Sequence, residues 1–256
     1  MFVDKQIKTE TVDQLKVKVY ETRLALGTAA GLATAEKMRE LLSQKEQIRM
    51  IFAAAPSQNE FLDTLTNEVG IAWHRVTAFH MDEYLGLSSS DPQRFSKFLR
   101  DRLFDIVKPG HVHLIDTTNS IEDECKRYGE LLKEAPIDIV CLGIGENGHI
   151  AFNDPSFADF NDPEIIKPIE LDSECRQQQV NDGCFSHYDD VPPHALTLSI
   201  PALLSGSHLF CMVPGNTKQD AVRRTLTGPI TTECPASILR KHSNCTLYLD
   251  KDSYGM

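Results

Sequence analysis

The feature that most constrains the fold of this chain is the alternation of short apolar runs with helical segments. Runs typical of β-strands occupy 15–20, 48–54, 75–79, 111–114, 137–142, 195–199, 208–213 and 245–249. Patterns typical of helices occupy 23–44, 58–68, 92–107, 120–134 and 216–227. Strands that alternate with helices predict a mostly parallel central sheet with helices on both faces. The predicted fold class is therefore α/β, with three layers.

The chain length sets the number of domains that we expect. A chain of 256 residues fits one large α/β domain or two small ones. Because no linker, repeat or low-complexity tract divides the sequence, we expect a single domain over 1–256. The segment 153–194 is rich in Asp, Asn, Gln, Pro and Ser, which predicts a lid, a binding insertion or small extra elements.

Charge and cysteine content narrow the class of partner. The net charge of -11 argues against nucleic acid or an anionic membrane, both of which require clustered Lys and Arg. No apolar stretch approaches the roughly 20 residues of a membrane helix, and no signal-peptide core is present at the N-terminus. The seven scattered cysteines lack C-x-x-C spacing, so we expect reduced thiols in a cytoplasmic protein and no metal site.

A glycine loop after the predicted strand 137–142 has two incompatible interpretations. Gly143, Gly145 and Gly148 match the spacing G-x-G-x-x-G of a dinucleotide-binding turn. That turn should lead into a helix, whereas here Asn153-Asp-Pro155 follows, which is turn chemistry. No βαβ unit follows either. We therefore favour a tight loop that carries His149 as a catalytic group.

A second polar loop follows the predicted strand 75–79. Asp82 and Glu83 lie there between apolar residues, which is uncommon for solvated acids. Desolvation raises the pKa of a carboxyl group and suits it to act as a general base. The alternative is that one of the two acids only caps the following turn.

These two loops carry a family resemblance. The segments 80–87 and 142–155 closely resemble the two signature loops of the glucosamine-6-phosphate deaminase (isomerase) family. The segments 213–218 and 226–242 are similar to the closing segments of that family. The related phosphogluconolactonases share the fold, but their glycine loop continues His-Thr-Ala-Ser where this chain has His-Ile-Ala-Phe, which favours the deaminase branch.

The resemblance implies a Rossmann-like α/β fold and the conversion of glucosamine 6-phosphate to fructose 6-phosphate and ammonia without metal or organic cofactor. By position it implies that Asp82 moves a proton between C2 and C1 of the opened sugar. It assigns the protons of ring opening to His149, with Asp154 as its support. It also implies that Lys218 binds the phosphate. An imidazole exchanges protons near neutral pH, which agrees with this role.

The sequence departs from the family pattern in three places. Asn147 stands where many members have an aspartate, so it offers His149 a hydrogen bond but no charge. Asp154 is one methylene shorter than the glutamate of the family. The glycine- and threonine-rich phosphate turn is replaced by 53–59, which offers donors at a predicted helix N-terminus. The full set of expected substrate-binding residues is Ser57, Gln58, Asn59, Glu83, Gly145, Gly148, Arg176 and Lys218, with Arg176 the nearest match to an arginine of the family.

Three other functions remain open at this point. The departures allow a different amino-sugar phosphate, such as galactosamine 6-phosphate, as substrate. A phosphosugar lactonase would use His149 to activate water and would not need Asp82. A non-catalytic sensor would bind the sugar phosphate without turnover. A homo-oligomer is also possible, since members of the family range from monomers to hexamers.

Overall fold

The computed structural model describes residues 6–256, and a mostly parallel sheet forms its centre. The strands of these residues are β1 (Gln6–Val12), β2 (Leu15–Tyr20), β3 (Ile48–Phe52), β4 (Val76–His80), β5 (Asp82–Tyr84), β6 (His111–His113), β7 (Ile139–Leu142), β8 (Ile166–Glu170), β9 (His194–Leu198), β10 (His208–Val213) and β11 (Cys245–Asp250). Eight of them form the central sheet in the order β1-β2-β11-β10-β7-β3-β4-β6. Only the β1–β2 pair of this sheet is antiparallel. A second, antiparallel sheet has the order β5-β9-β8.

Helices cover both faces of the central sheet. They are α1 (Arg23–Gln44), α2 (Asn59–Asn67), α3 (Phe95–Leu99), α4 (Asp105–Val107), α5 (Ile121–Lys133), α6 (Ser173–Asn181), α7 (Ile200–Leu204), α8 (Gln219–Thr227) and α9 (Lys251–Tyr254). Successive residues of a strand point to opposite faces. On β7, Ile139 and Cys141 join a core with α1 and α2, while Val140 and Leu142 join a core with α5 and α8. The predicted three-layer α/β class is thus confirmed.

Several elements differ from the sequence-based prediction. The strands β1, β5 and β8 and the helix α6 were not predicted, because their sequences are mostly polar or very short. The predicted helix 92–107 begins later, at Phe95, and is interrupted by a π-helical turn at Arg100–Phe104. The segment 153–194 contains β8, α6 and the first residue of β9, which agrees with the small extra elements among its predicted alternatives.

The topology brings four loops to one edge of the central sheet. The strands β10, β7, β3 and β4 are consecutive in the sheet and run parallel, so that their carboxyl ends lie at the same edge. Ligands of open α/β sheets bind at this edge. Within residues 6–256, no helix is both long enough and apolar enough to cross a membrane.

Candidate active site

A cavity of about 280 Å³ opens at the carboxyl ends of these strands. The residues that line it come from the loops after β3, β4, β7 and β10, from α1, β5 and α3, and from the C-terminal end of α6. They are Arg23, Ala53, Ala54, Ala55, Pro56, Ser57, Gln58, Met81, Asp82, Phe95, Gly143, Ile144, Gly145, His149, Ala151, Phe152, Gln178, Gln179, Asp182, Pro214, Gly215, Asn216, Thr217 and Lys218. A concave site with a few converging polar groups is typical of small-molecule binding. We take it as the candidate active site.

The twelve sequence-predicted residues divide into three groups in the structure. Six of them line the cavity directly: Ser57, Gln58, Asp82, Gly145, His149 and Lys218. Three others lie against His149 or its loop: Asn147, Gly148 and Asp154. The last three, Asn59, Glu83 and Arg176, do not line the cavity.

His149 is held by two neighbouring side chains. Its Nδ1 atom lies 2.9 Å from Oδ1 of Asp154, so the shorter aspartate does reach the imidazole. The backbone N–H of His149 donates to Oδ1 of Asn147 over 3.0 Å. Nδ2 of Asn147 in turn donates to Oδ1 of Asp154 over 3.1 Å. Asn147 therefore fixes both the backbone and the acid partner of the histidine.

Asp154 keeps its charge although it is fully buried. Burial acts to raise the pKa of its carboxyl group, but the contacts with His149 and Asn147 and the backbone N–H of Asp172 outweigh burial. The pKa of Asp154 is therefore lower than its ordinary value. A carboxylate next to an imidazole favours one tautomer and stabilises the cationic form.

The glycines of the loop make room for the histidine and its neighbours. A Cβ atom on Gly145 would lie 2.2 Å from Cε1 of His149, which is closer than real Cβ contacts allow. Gly148 has φ +93°, a conformation that favours glycine, and a Cβ there would lie 2.8 Å from Sγ of Cys234. Gly145 thus leaves space for the imidazole ring of His149, and Gly148 allows the loop to pack against Cys234.

Asp82 is buried at the start of β5 and also lines the cavity. Its backbone position is fixed by the pairing of β5 with β9, in which it lies opposite Thr197. Burial raises the pKa of Asp82 well above its ordinary value, and the charge of Glu83 raises it further. Such a carboxyl group suits the general base predicted from the sequence.

Glu83 has the capping role that the sequence left open for one of the two acids. Its carboxylate oxygens accept the backbone N–H groups of Phe95 and Ser96, both over 3.0 Å, at the start of α3. Nε of Arg94 lies 3.4 Å from the same carboxylate. Glu83 therefore lies behind the cavity and holds α3, whose Phe95 lines it.

Lys218 and the loop after β3 form the opposite end of the cavity. Lys218 is only 5% exposed, and within residues 6–256 its ammonium group has no ion pair or hydrogen bond. Burial lowers its pKa. Nε2 of Gln58 donates to Oγ of Ser57 over 3.0 Å, and both residues line the cavity together with Lys218. Asn59 begins α2 just outside the wall.

The structure places Arg176 away from the cavity. Its Nη2 donates to the carbonyl groups of Tyr188 and Val191, each over 3.0 Å, and its guanidinium lies 4.1 Å from the centre of the Tyr188 ring. An arginine that the sequence did not single out lines the cavity instead. Arg23, at the start of α1, binds Glu60 over 2.7 Å and also the carbonyl of Pro56.

The segment 153–194 supplies three further residues that the sequence analysis missed. Gln178, Gln179 and Asp182 line the cavity from the end of α6. Gln178 accepts the backbone N–H of Glu146 over 2.7 Å, which joins α6 to the glycine loop. Their only sequence sign is a run of amides in a polar segment, and tertiary packing alone brings it to the site.

One group of potential metal ligands lies at the site. Ligand atoms of His149, Asp154 and Cys175 lie within 4.8 Å of one another. Nδ1 of His149 contacts Oδ1 of Asp154 directly at 2.9 Å. We therefore interpret the group as support for the histidine.

A comparison with known protein families shows to which family the chain belongs. Residues 21–248 match the model of the family of glucosamine-6-phosphate isomerases and 6-phosphogluconolactonase. The chain belongs to this family. The family that the sequence motifs resembled is thereby confirmed.

The chain is similar to several proteins named as glucosamine-6-phosphate deaminases. A glucosamine-6-phosphate deaminase of Bacillus cereus is 35% identical over 183 residues, which is 71% of this chain and 68% of the relative. One of Bacillus thuringiensis is 34% identical over the same length. The solved structure of a monomeric glucosamine-6-phosphate deaminase has 30% identity and a TM-score of 0.85, covering 93% of this chain and 98% of the other.

Lactonases of the family are more distant. The 6-phosphogluconolactonase of Thermotoga maritima has 20% identity and a TM-score of 0.76 over 94% of this chain and 100% of the other, which shows a shared fold alone. The similarity to deaminases is greater in both sequence and structure. It supports the deaminase branch that the sequence motifs favoured.

Proposed function

We propose that this enzyme is a glucosamine-6-phosphate deaminase, which converts glucosamine 6-phosphate to fructose 6-phosphate and ammonia. The observation that carries the proposal is the placement of Asp82, His149 and Lys218 around one cavity. They supply a carboxyl base, an imidazole and a cation, the three groups that the reaction needs. The relatives named as deaminases support the same activity.

The phosphate of the substrate binds at the Lys218 end of the cavity in this proposal. A lysine that is 5% exposed and forms no direct ion pair favours an anionic ligand, because burial of a charge is costly and the more distant acids Asp182 and Glu146 offset that cost only in part. Ser57 supplies a hydroxyl donor next to it, and Arg23 a second cation. The loop at 55–58 also faces the cavity from the start of α2, where backbone N–H groups favour an anion.

His149 opens the sugar ring. The imidazole accepts the proton of the C1 hydroxyl group and returns one to the ring oxygen, which gives the free aldehyde. Asp154 stabilises the imidazolium that exists between these two transfers, since it remains charged beside the ring. Asn147 keeps the two groups in contact.

Asp82 carries out the isomerisation. Its carboxylate removes the proton from C2 of the open sugar, while the carbonyl oxygen at C1 takes up a proton that the C2 ammonium group loses, which gives an enolamine. Asp82 then returns its proton to C1. The resulting imine at C2 takes up water and releases ammonia, which leaves fructose 6-phosphate. The raised pKa makes the carboxylate of Asp82 a stronger base, which eases removal of the proton from C2.

Release of ammonia is the test of this function. We expect purified protein with glucosamine 6-phosphate to produce ammonia and fructose 6-phosphate in equal amounts, and Asp82→Asn to lower kcat at least about 100-fold, the contribution typical of a general base. Galactosamine 6-phosphate is the parallel substrate. Binding without turnover of either sugar would identify a sensor, and unchanged lactone hydrolysis by Asp82→Asn would identify a lactonase.

We also propose the setting in which this activity occurs. The segment 153–194 is an insertion of a single domain over 1–256, and it closes one side of the cavity through Gln178, Gln179 and Asp182. All seven cysteines are free, which favours the reducing cytoplasm. A homo-oligomer stays a prediction, and the structurally similar deaminase is described as monomeric.

A further inference from the structure

A second carboxylate, that of Asp172, lies behind His149. Asp172 precedes α6, and its Oδ1 accepts the backbone N–H of Cys175 over 2.8 Å, so that it caps the helix. The cap turns Oδ2 towards the glycine loop, where it lies 3.4 Å from Nδ2 of Asn147. No role was predicted for this residue from the sequence.

The amide of Asn147 joins two carboxylates. Its Nδ2 donates to Asp154 over 3.1 Å and to Asp172 over 3.4 Å, while its Oδ1 accepts the backbone N–H of His149. A primary amide has two N–H donors, and each is directed to one acid. This pattern requires one acceptor oxygen from each acid, and an ionised carboxylate supplies acceptors on both of its oxygens. Burial raises the pKa of Asp172 above its ordinary value, and the backbone N–H of Cys175 opposes that rise.

The backbone of Asp172 makes a second connection to the same group. Its N–H donates to Oδ2 of Asp154 over 3.4 Å, on the oxygen that does not contact His149. Asp154 is thus held by Asn147 on one oxygen and by Asp172 on the other. A displacement of Asp172 would therefore loosen both partners of the histidine.

We propose that Asp172 is a positioning residue for His149. Its carboxylate fixes the amide of Asn147, and its backbone N–H fixes Asp154. Its negative charge stabilises the imidazolium of His149, which the neutral side chain of Asn147 does not do. The catalytic meaning of this role rests on the proposed function, but the effect on the imidazole exists without any substrate.

Other charged and titratable groups also face the histidine and its partners. Asp82 lies in the wall of the same cavity, Cys175 contacts Asp154, and Arg224 of α8 donates to the carbonyl of Asn147 over 3.4 Å. The positive charge of Arg224 opposes the effect of the acids. These groups stay in place when only Asp172 is changed, so a comparison of single variants isolates its contribution.

The direct test is to measure the pKa of His149 by NMR titration of the histidine Cε1–H signals. The signal of His149 is assigned by its absence in the variant His149→Gln. Asp172→Asn keeps the helix cap, because asparagine caps as well as aspartate does. We expect this variant to lower the pKa of His149 by up to about one unit, because it removes a negative charge that is linked to the partly buried imidazole through Asn147. Asp189→Asn, an exposed change in the same segment, should leave it unchanged.

An exchange of charge between two positions strengthens the test. In the double variant Asn147→Asp, Asp172→Asn, the acid and the amide of the hydrogen bond between positions 147 and 172 are exchanged. We expect the pKa of His149 to return towards its wild-type value. On glucosamine 6-phosphate, Asp172→Asn should lower kcat by up to about tenfold with little change in KM, because one unit of pKa is a factor of ten in the protonation equilibrium and sets the upper limit for the change in rate.

Two results would overturn the proposal: an unchanged pKa of His149 in a folded Asp172→Asn variant, or a loss of activity that follows thermal stability alone. Asp172→Ser also caps helices and replaces the asparagine variant if that one does not fold. If the wild-type protein released no ammonia, the proposed function would fail, yet the titration of His149 would still decide whether Asp172 positions it.

Discussion

At the scale of single residues, Asp82 occupies surroundings that oppose its ionisation. The side chain is buried beside Glu83, so its pKa in the folded protein lies well above that in the unfolded chain. A raised acid pKa costs no stability below the unfolded pKa of about 3.9. The cost grows as the pH rises towards the folded pKa and remains in full above it. The base predicted for catalysis therefore destabilises the fold at neutral pH.

Replacement of this base should exchange activity for stability. We expect Asp82→Asn to raise Tm at pH 7 by at least about 2 °C, because each kcal/mol corresponds to roughly 2–4 °C in a chain of this size. The gain should vanish near pH 4. Calorimetry across this range is the measurement, with the exposed Asp189→Asn as control. A gain that is equal at all pH values would point to packing and not to ionisation.

Residues next to strand ends were predictable from the sequence, and those contributed by helices were not. Asp82 and His149 follow apolar runs directly, so the rule that ligands bind beyond strand ends locates them. Arg23 reaches the same cavity from the start of a helix more than 30 residues before the nearest motif, and nothing local marks it. Arg176 matched a pattern, but its guanidinium binds backbone carbonyls elsewhere.

At the scale of elements, α3 depends on one buried acid. The side chain of its N-cap residue Arg94 accepts no hydrogen bond from the helix, and Glu83 from β5 accepts the first N–H groups in its place. The predicted helix 92–107 therefore begins only where this acid can reach it. A sequence pattern that follows periodicity alone places the start too early, because the cap comes from another element.

Loss of the Glu83 charge should weaken both α3 and the catalytic base. We expect Glu83→Gln to lower the free energy of unfolding by about 1–3 kcal/mol, since buried N–H groups and Arg94 lose a charged acceptor. It should also lower the pKa of Asp82 and move the acid limb of kcat/KM to lower pH, because the Glu83 charge raises that pKa. Urea unfolding and a pH profile measure the two effects. Glu122→Gln, an exposed acid in the first turn of α5, is the matched control, and equal behaviour of the two variants would contradict the role of Glu83.

At the scale of the whole molecule, the chain binds an anion in this proposal although its net charge is -11. The parallel sheet resolves the conflict, because it gathers its loops at one edge, where Lys218 and Arg23 face the same cavity. The alternation of strands and helices was enough to predict this architecture. It did not predict which cations the fold would bring together, since α1 and the loop after β10 meet only in three dimensions.

Thermal shift with inorganic phosphate tests this whole-molecule arrangement. A ligand that binds only the folded state stabilises it by RT ln(1 + [L]/Kd), about 2.7 kcal/mol at a concentration of 100 Kd. We expect phosphate to raise Tm of the wild type, with the rise absent in Lys218→Gln and reduced in Arg23→Gln. Arg176→Gln is the control for loss of a cation outside the cavity, and its rise above its own baseline should match the wild type. If the rise in Tm were lost only in Arg176→Gln, the phosphate site would lie next to Tyr188 in the segment 153–194. The proposed orientation of the sugar over Asp82 and His149 would then be wrong.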